Sequence, residues 1–359
     1  MTDVSEAIKL AFAIPGDLAT PTGGYVYDRR VLALLAGHGM NARPLALPGS
    51  FPFPPQADLE TTRAALESVA ADEVILADGL ALGAFAPSLA SAIRAPLIAL
   101  CHHPLGLEAG LSDEQAHGLI ENERAMLARS NHVIVTSRTT RAILIEQFGV
   151  AADAITIAEP GVDRAPPARG GGSATVNIIA VGSIVPRKGY DILIEALAQM
   201  QDLDWRMRIV GALDRAPRAV AALHAQIENS GLSQRVEFTG AADDAGVAAF
   251  YHEADLFVSA SRYEGYGMVL AEAMVRGLPI VSSTGGAAAD TVPDNAALKV
   301  APEDVAALAS ALRRATSEAG LRAQLGAAAL EASVHLPTWG SAARTIADVV
   351  RAIHMRARR

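Results

Sequence analysis

One segment of the chain can continue neither a helix nor a central strand. Residues Glu159–Ser173 have the sequence EPGVDRAPPARGGGS, with three prolines and four glycines in fifteen residues. Proline removes a backbone N–H group and fixes φ, and glycine raises the entropy cost of any regular element. Because 359 residues are ample for two hydrophobic cores, we predict a boundary here, between a domain at 1–165 and a domain at 166–340.

Short apolar runs alternate with longer helical patterns on both sides of this break. The strands predicted before it are Ile8–Ile14, Ala42–Leu47, Val74–Ala77, Pro96–Leu100, His132–Thr136 and Ala154–Ala158. The strands predicted after it are Val176–Val181, Arg206–Val210, Val236–Phe238, Leu256–Ser259, Pro279–Ser282 and Ala297–Val300. The later helical stretches are Tyr190–Met200, Arg218–Ser230, Asp243–Glu253, Met268–Arg276 and Glu303–Thr316. Apolar strands separated by helices are typical of parallel sheets covered on both faces. The predicted fold class is α/β, with two doubly wound, Rossmann-like domains that face each other across a ligand-binding cleft.

Residues 341–359 form a final predicted helix that ends in the basic sequence RAIHMRARR. We expect this helix to pack back on the N-terminal domain. Arginines at a helix C-terminus interact favourably with the helix dipole, which explains their position without a partner. The alternative is weak peripheral contact with an anionic membrane surface.

Composition places the chain among globular proteins, since 51% of its residues are hydrophobic and 19% are charged. The formal net charge of −9 argues against nucleic acid as a general partner. Residues 166–359 hold 19 of the 30 Lys and Arg residues, so the basic side chains gather in the second half. Cys101 is the only cysteine, which excludes an intrachain disulfide and fits a reducing compartment.

Two features predict a cytoplasmic protein. The N-terminal residues MTDVSE are acidic and lack the basic region of a signal peptide. The stretch Val74–Ile93 is nearly free of charge, but Asp78, Gly79, Gly83 and Pro87 favour a buried strand, a turn and a short helix over a membrane span. Peripheral contact with the inner face of a membrane is the alternative location.

Two carboxylates stand eight positions apart in the segment Ser261–Gly277, SRYEGYGMVLAEAMVRG. Glu264 lies in a glycine-rich turn, and Glu272 lies about one turn into the predicted helix. A glycine-rich turn that begins a helix offers backbone N–H groups and a positive dipole end to phosphate. The donor-binding residues predicted here are Glu264, Gly265, Tyr266, Gly267, Met268, Val269 and Glu272. The alternative is a loop–helix junction with two solvated glutamates.

Two adjacent cations follow the first strand of the second half. Val181–Gly189 has the sequence VGSIVPRKG, which places Arg187 and Lys188 at a turn from a strand to a helix. Arginine can grip phosphate oxygens with two parallel bonds, and lysine supplies a compact charge. Together they can offset the charge that builds on a leaving diphosphate. Gly211 follows the next strand and is expected near the nucleobase or the ribose.

The first half offers a second group of candidates at the carboxyl ends of its strands. Gly23 and Gly24 end a loop just before a helix and allow the backbone to approach a ligand closely. His102 follows the strand Pro96–Leu100 and can bond to a sugar hydroxyl or move a proton. We expect no metal here, because His102 and His103 are adjacent and point in different directions.

The motifs together resemble those of the retaining GT-B glycosyltransferases of family 4. The resemblance rests on VGSIVPRKGYDILIEA, on ADLFVSASRYEGYGMVLAEAMVRGLPIV and on the Gly-Gly pair that follows. The sequence EPGVD also resembles the P-x-G-V-D hinge of that family. The matching residues run in order across most of 176–300, whereas the first half matches more weakly. Met268 stands where the family usually has leucine, and Asp290 stands near a usual glutamate and is assigned no role.

The resemblance implies a role for each candidate residue. Glu264 would hold hydroxyls of the transferred sugar, and Glu272 would hold the ribose. Arg187 and Lys188 would bind the diphosphate, with Gly23 and Gly24 against it and His102 near the sugar. Glu264, His102, Arg187 and Lys188 are therefore the predicted catalytic residues.

The activity implied is transfer of a glycosyl group from a nucleotide-diphosphate sugar, with UDP or GDP expected, without a bound metal and with retention of configuration. The acceptor is a small molecule, a glycan or a lipid-linked sugar, and the oligomeric state is left open. Two other functions remain as alternatives at this point. One is a GT-B-like phosphorylase or sugar-nucleotide epimerase, and the other is a nucleotide-sugar-binding regulator without turnover.

Overall fold

The computed structural model describes residues 7–358, and twelve strands form two parallel sheets in that part of the chain. The strands of the first sheet are β1 (Ile8–Pro15), β2 (Met40–Leu47), β3 (Val74–Asp78), β4 (Leu97–Cys101), β5 (His132–Val135) and β6 (Ile155–Ile157). The strands of the second sheet are β7 (Val176–Val181), β8 (Trp205–Val210), β9 (Val236–Gly240), β10 (Leu256–Ser259), β11 (Ile280–Ser283) and β12 (Ala297–Val300). The predicted pair of doubly wound α/β domains is confirmed.

Thirteen α-helices connect or follow the strands within the described residues. In the first half they are α1 (Gly23–Leu35), α2 (Gln56–Glu67), α3 (Gly79–Leu82), α4 (Asp113–Arg129) and α5 (Arg138–Phe148). In the second half they are α6 (Tyr190–Ala198), α7 (Pro217–Asn229), α8 (Asp244–Glu253), α9 (Met268–Met274), α10 (Ala288–Thr291), α11 (Val305–Ser317), α12 (Ala319–Ser333) and α13 (Trp339–Ala357).

The chain forms two compact units. The first contains the described residues through Gly161 and returns from Pro337 onward, and the second is Val162–Leu336. The strand order is β2-β1-β3-β4-β5-β6 in the first unit and β12-β11-β10-β7-β8-β9 in the second. All strand pairs are parallel, which requires the helical crossovers that the sequence pattern predicts.

The C-terminal helix α13 belongs to the first unit, where it packs on α1. Tyr27 on α1 is fully buried, and its hydroxyl donates to the carbonyl of Ala158 at 2.9 Å. The ring of Trp339 meets Tyr27 edge-on, with centroids 6.0 Å apart. Gly161 passes so close that a Cβ there would lie 2.1 Å from the backbone nitrogen of Trp339. The absence of a side chain at Gly161 thus lets the chain after β6 contact the start of α13.

The core of the second unit lies on both faces of its sheet. Trp205 is 1% exposed, and its Nε1 donates to the carbonyl of Met200 at 2.8 Å. The guanidinium of Arg235 lies over the same indole, 3.9 Å from the ring centroid. On the other face Tyr251 and Phe257 stack, with centroids 5.9 Å apart. Aromatic side chains thus cover both faces of this sheet, as expected for strands that are apolar on both sides.

One predicted helix starts in the wrong place. The sequence pattern predicts a helix from Glu303, but α11 begins at Val305 after the N-cap Asp304, whose side chain accepts from the Ala307 N–H group. Glu303 instead has φ of 63°, in the left-handed region. Its carboxylate accepts a hydrogen bond from Arg262 Nε at 2.8 Å. Glu303 therefore lies outside α11 and makes a tertiary contact, and the helix starts two residues later than the pattern predicts.

Some predicted features fall at the ends of the chain. Met1–Glu6, on which the interpretation of the N-terminus rests, and Arg359 lie outside the described residues. From residue 7 to residue 358, no helix has both the length and the apolar character needed to cross a membrane. Near the C-terminus, Arg351 donates to the carbonyl of His38 and pairs with Asp348. Contact of the basic C-terminal residues with a membrane stays a prediction.

Replacement of Gly161 by alanine should destabilise the protein by about 1–3 kcal/mol, because the added Cβ meets backbone atoms that cannot move aside cheaply. Gly118→Ala is the matched control, since nothing lies within 4 Å of its Cβ position and alanine favours the helix α4. Urea denaturation of the three proteins gives the two differences. Equal stability of both variants would contradict the close contact at Gly161.

Candidate active site

The strand order of the second unit places two loops side by side at the carboxyl edge of its sheet. β7 and β10 are neighbours, but β7 continues to β8 on one side and β10 continues to β11 on the other. Ligands of doubly wound sheets bind at such switch points, because the diverging connections leave a crevice. The loop after β7 carries Arg187 and Lys188, and the loop after β10 carries Glu264.

Glu264 is bonded to both of these cations. Its Oε1 lies 2.7 Å from Lys188 Nζ, and its Oε2 lies 3.4 Å from Arg187 Nη1. The hydroxyl of Ser261 donates a further hydrogen bond to Oε1 at 2.6 Å. Glu264 is only 5% exposed, so it is not a solvated side chain.

The surroundings keep Glu264 ionised. Burial opposes the charged form, but the nearby charges of Lys188 and Arg187 outweigh it, and the pKa of Glu264 falls to about 2. Two cations and one carboxylate leave the cluster with a net positive charge. Such a cluster can receive an anion without burying uncompensated negative charge.

Backbone contacts hold the two loops in register. The N–H group of Arg262 donates to the carbonyl of Arg187 at 2.8 Å. Gly189 has φ of 63°, and a Cβ there would lie 2.1 Å from the carbonyl oxygen of Ala260. Only glycine allows this turn and this approach together. The spacing between the cations and Glu264 is therefore set by the backbone.

The side chain of Arg262 braces the same loops. It donates to the carbonyl of Pro186 at 2.6 Å and makes two parallel bonds to Asp191 on α6, at 2.9 and 2.7 Å. A fourth bond reaches Glu303, described above. A planar guanidinium can satisfy these partners at once, which lysine cannot. The role of Arg262 is not visible in the sequence, because its partners are distant in the chain.

The Gly-Gly turn after β11 packs against the loop that carries Glu264. The N–H group of Glu264 donates to Gly285, and the N–H group of Ala287 donates to the Glu264 carbonyl. A Cβ on Gly286 would lie 2.4 Å from that carbonyl oxygen, and Gly286 also has a positive φ of 62°. Glycine at these positions lets the two loops approach closely, and the contact between the loops holds the backbone of Glu264 in place.

Glu272 lies on α9 in a half-buried position. Its Oε2 accepts a hydrogen bond from the hydroxyl of Tyr251 at 3.0 Å. Burial raises its pKa, while this bond and the charges of Arg276 and Lys188 act in the opposite direction. The charge of Lys188 therefore acts on the carboxylates of both Glu264 and Glu272.

The remaining predicted donor-binding residues of this unit surround the same loops. Gly267 is the left-handed N-cap of α9, with φ of 90°. A Cβ on Gly211 would lie 2.0 Å from the carbonyl oxygen of Gly182, so Gly211 packs against that backbone. The side chain of Lys188 in turn packs against Gly182. The others form the turn and the first helical turn: Gly265, Tyr266, Met268 and Val269.

In the first unit, Gly24 and His102 are brought together. Gly23 and Gly24 begin α1, after the N-cap Thr22. A Cβ on Gly24 would lie 3.6 Å from the Cδ2 atom of His102, so the start of α1 lies directly beside the imidazole. Tyr27 meets the same ring edge-on, with centroids 5.0 Å apart.

Two carboxylates that the sequence analysis left without a site role lie beside His102. Its Nε2 is 3.3 Å from Asp28 Oδ1 and 3.4 Å from Asp78 Oδ2. One ligand atom from each of the three side chains lies within 4.8 Å of the others, a set that could hold a metal ion. Asp78 ends an apolar strand, and Asp28 stands four positions after Gly24 on α1. The sequence places each carboxylate next to a predicted element, but it does not show that the two are close to each other. The sheet order brings them together, because β1, β3 and β4 are successive neighbours.

Comparison with known families accounts for both units. A family model described as "Glycosyltransferase Family 4" matches residues 17–166. A second model, described as "Glycosyl transferases group 1", matches residues 175–318. The chain belongs to glycosyltransferase family 4. The family resemblance inferred from the motifs is therefore confirmed.

A curated relative of this family 4 chain is the D-inositol 3-phosphate glycosyltransferase of Xylanimonas cellulosilytica, which is 27% identical over 252 residues. The match covers 66% of this chain and 60% of the relative. The chain therefore spans about 60% of the length of the curated protein it matches.

Solved structures agree on the fold. Sucrose-phosphate synthase from Thermosynechococcus elongatus has a TM-score of 0.82 and 22% identity, over 97% of this chain and all of that chain. HepE of Anabaena, in a crystal structure with UDP-glucose, has a TM-score of 0.74 and 21% identity, over 96% of this chain and all of that chain. Two six-stranded parallel sheets with helices are the GT-B fold, and the predicted fold class is confirmed.

Replacement of Glu264 by glutamine should lower the free energy of unfolding at neutral pH by about 3 kcal/mol, because two cations lose a buried partner. The pKa of Glu264 is below its ordinary value in the folded state, so its contribution is present above about pH 4.5 and is lost as the pH falls toward about 2. Denaturant unfolding between pH 7 and pH 3 should show a smaller acid sensitivity in the variant than in the parent protein.

Glu253→Gln is the control for this prediction. Glu253 pairs with Arg208 at 2.7 Å on the surface of the same unit, where an ion pair contributes little. If Glu264→Gln were as stable as Glu253→Gln at pH 7, the buried cluster would not stabilise the unit.

Proposed function

We propose that this glycosyltransferase moves a sugar from a nucleoside diphosphate to an acceptor hydroxyl, with retention of anomeric configuration. The observation that carries the proposal is the buried carboxylate of Glu264, held ionised between Lys188 and Arg187 at the switch point of the second sheet. A cluster of net positive charge beside a fixed hydrogen-bond acceptor suits a molecule with a diphosphate at one end and hydroxyls at the other.

In the proposed step, the bond between C1 of the donor sugar and the diphosphate oxygen breaks, and its electron pair leaves with the diphosphate. The acceptor hydroxyl attacks C1 from the same face and loses its proton to the departing phosphate oxygen. The products are the glycoside and the nucleoside diphosphate, so atoms and charge balance. Arg187 and Lys188 stabilise the negative charge as it grows on the leaving group.

Lys188 is suited to this role because its ammonium has three donors and makes one of its bonds to Glu264. Glu264 then orients both the cation and the sugar hydroxyls, and Ser261 keeps its carboxylate from rotating. Glu272, whose pKa is raised by burial, accepts from the ribose. We assign Gly211 and the turn from Gly265 to Val269 to the nucleotide, and Gly23, Gly24 and His102 to the diphosphate and sugar.

The nucleotide is expected to be UDP or GDP, and the UDP-glucose complex of HepE supports a uridine donor. The acceptor is a small molecule, a glycan or a lipid-linked sugar. An inositol phosphate belongs in the acceptor panel because the curated relative is named for one. The proposed reaction needs no metal. A thermal-shift screen of UDP-, GDP-, TDP- and ADP-sugars identifies the donor, and NMR of the product gives the anomeric configuration.

Each alternative function has its own distinguishing outcome. A phosphorylase would require inorganic phosphate for turnover, and an epimerase would convert the donor without an acceptor. A regulator would bind the nucleotide sugar without consuming it over hours. Inversion of configuration in the product would contradict the front-face step while leaving transfer itself intact.

Lys188→Ala and Glu264→Ala should each lower kcat by about 100-fold or more with the donor that the screen identifies, because a preorganised charge is lost from the transition state. Lys9→Ala is the matched control, since Lys9 is half exposed and pairs with Asp72 on the surface of the first unit. Steady-state kinetics of the four proteins test the assignment. Activity of Lys188→Ala close to that of Lys9→Ala would rule out this role for the cluster.

A further inference from the structure

The arrangement around His102 is the charge-reversed counterpart of the Glu264 cluster. Both carboxylates approach the same ring nitrogen, Nε2, at 3.3 Å from Asp28 and 3.4 Å from Asp78. Neither carboxylate belongs to a motif predicted from the sequence, and the proposed transfer does not by itself require them. Their function therefore has to be argued from their burial and their bonds.

Both carboxylates are removed from water. Asp28 is 0% exposed and Asp78 is 4% exposed. Asp78 is fully engaged, since its Oδ1 accepts from the Leu80 N–H group at 2.8 Å and its Oδ2 faces His102. Asp28 Oδ2, in contrast, has no hydrogen-bond partner within the described chain. An oxygen of each carboxylate lies within 4.8 Å of the other. Two buried carboxylates this close need either a shared proton or a positive charge, because desolvation and mutual repulsion both oppose ionisation.

The groups that face His102 come from two elements. Asp28 and Tyr27 face it from α1, and Asp78 faces it from the end of β3. Tyr27 stays neutral, since burial and the charge of Asp28 raise its pKa. The imidazole is therefore the cation available to this cluster among the described residues that face it.

The direction of the pKa values agrees with this geometry. Burial alone would lower the pKa of His102, but the bonds to Asp28 and Asp78 and their charges raise it to about 10. Burial and the charge of Asp78 raise the pKa of Asp28 to about 7. The two carboxylates thus favour the charged form of the imidazole, and the neighbouring Asp78 favours the neutral form of Asp28.

We propose that Asp28 and Asp78 are positioning residues that hold His102 as an imidazolium, so that His102 serves the transfer reaction as a charged hydrogen-bond donor and not as a base. This inference rests on the proposed function for the part that concerns transfer. With Nε2 facing the two carboxylates, the second nitrogen, Nδ1, carries a proton in this form and can only donate. A donor of this kind binds a sugar hydroxyl or a phosphate oxygen and cannot take the proton of the acceptor.

The same geometry allows one competing occupant, a divalent cation. The ligand atoms of Asp28, Asp78 and His102 all lie within 4.8 Å of one another. A bound metal would require a neutral imidazole, since a ligating nitrogen cannot carry a proton. The two states are therefore distinguished by the protonation of one ring.

Nitrogen-15 NMR of the histidine rings tests the charge state directly, with the His102 signals assigned by their loss in His102→Gln. We expect the ring to be doubly protonated at pH 8 in the parent protein. In Asp28→Asn and Asp78→Asn the midpoint should move toward the ordinary value of about 6.5, and in the surface control Asp72→Asn it should not move. A neutral ring at pH 8 in the parent protein overturns the proposal, even if the variants fail to fold.

Zinc and manganese titrations followed by calorimetry test the competing occupant. The proposal expects no binding that depends on Asp28. Stoichiometric binding that is lost in Asp28→Asn, together with a neutral His102 ring, would overturn it in favour of a metal site.

Kinetics test the link to transfer. Asp78→Asn should lower kcat at pH 8 by about 10-fold or more, and much less at pH 6, where the ring charges without its partner. Equal losses at both values would point to a structural role and overturn the assignment. If the parent protein turns over no nucleotide sugar, the proposed function fails, and the NMR result still decides whether the two carboxylates hold a charged ring.

Discussion

The candidate site depends on the salt bridges between the carboxylate of Glu264 and two cations. The carboxylate lies between Lys188 and Arg187, and its burial makes each partner necessary, because any one of the charges alone would be costly to bury. The loops that carry these residues are joined through the backbone of Arg262 and through Gly189. Local charge and local backbone geometry therefore support one another. A change in either one would alter the distance between the cations and the carboxylate.

This pairing follows from the topology of the sheet. β7 and β10 are separated by two strands and three helices along the chain, yet they are neighbours in space. Their connections diverge, which leaves room above the carboxyl edge, and the polar loops there pack against each other. The first sheet repeats the principle with β1, β3 and β4, which bring α1 and the ends of two strands to His102. The two clusters are opposite in charge: one is an anion between cations, and the other is a histidine between carboxylates.

The contrast has a chemical consequence under the proposed function. The diphosphate gains negative charge as it leaves, so its attraction to the cations of the second unit increases during the reaction. A histidine held in its charged form would contribute in the same direction, as a donor. Neither cluster would then act as the base, and the leaving phosphate itself would take the acceptor proton. The assignment of Asp28 and Asp78 thus bears on the mechanism and not only on stability.

Much of the fold was accessible from the sequence, because each buried strand appears as an apolar run bounded by turn residues, and strands such as Val176–Val181 and Leu256–Ser259 match the structure at both ends. The helix Ala319–Ser333 was not predicted, since its small, weakly patterned side chains give little periodic signal. The sequence also determined which residue types could bind phosphate and sugar, through Arg187, Lys188 and Glu264. Only the tertiary structure decided that Asp28, Asp78 and His102 share one place, because strand order is set by packing of whole sheets and not by neighbours along the chain.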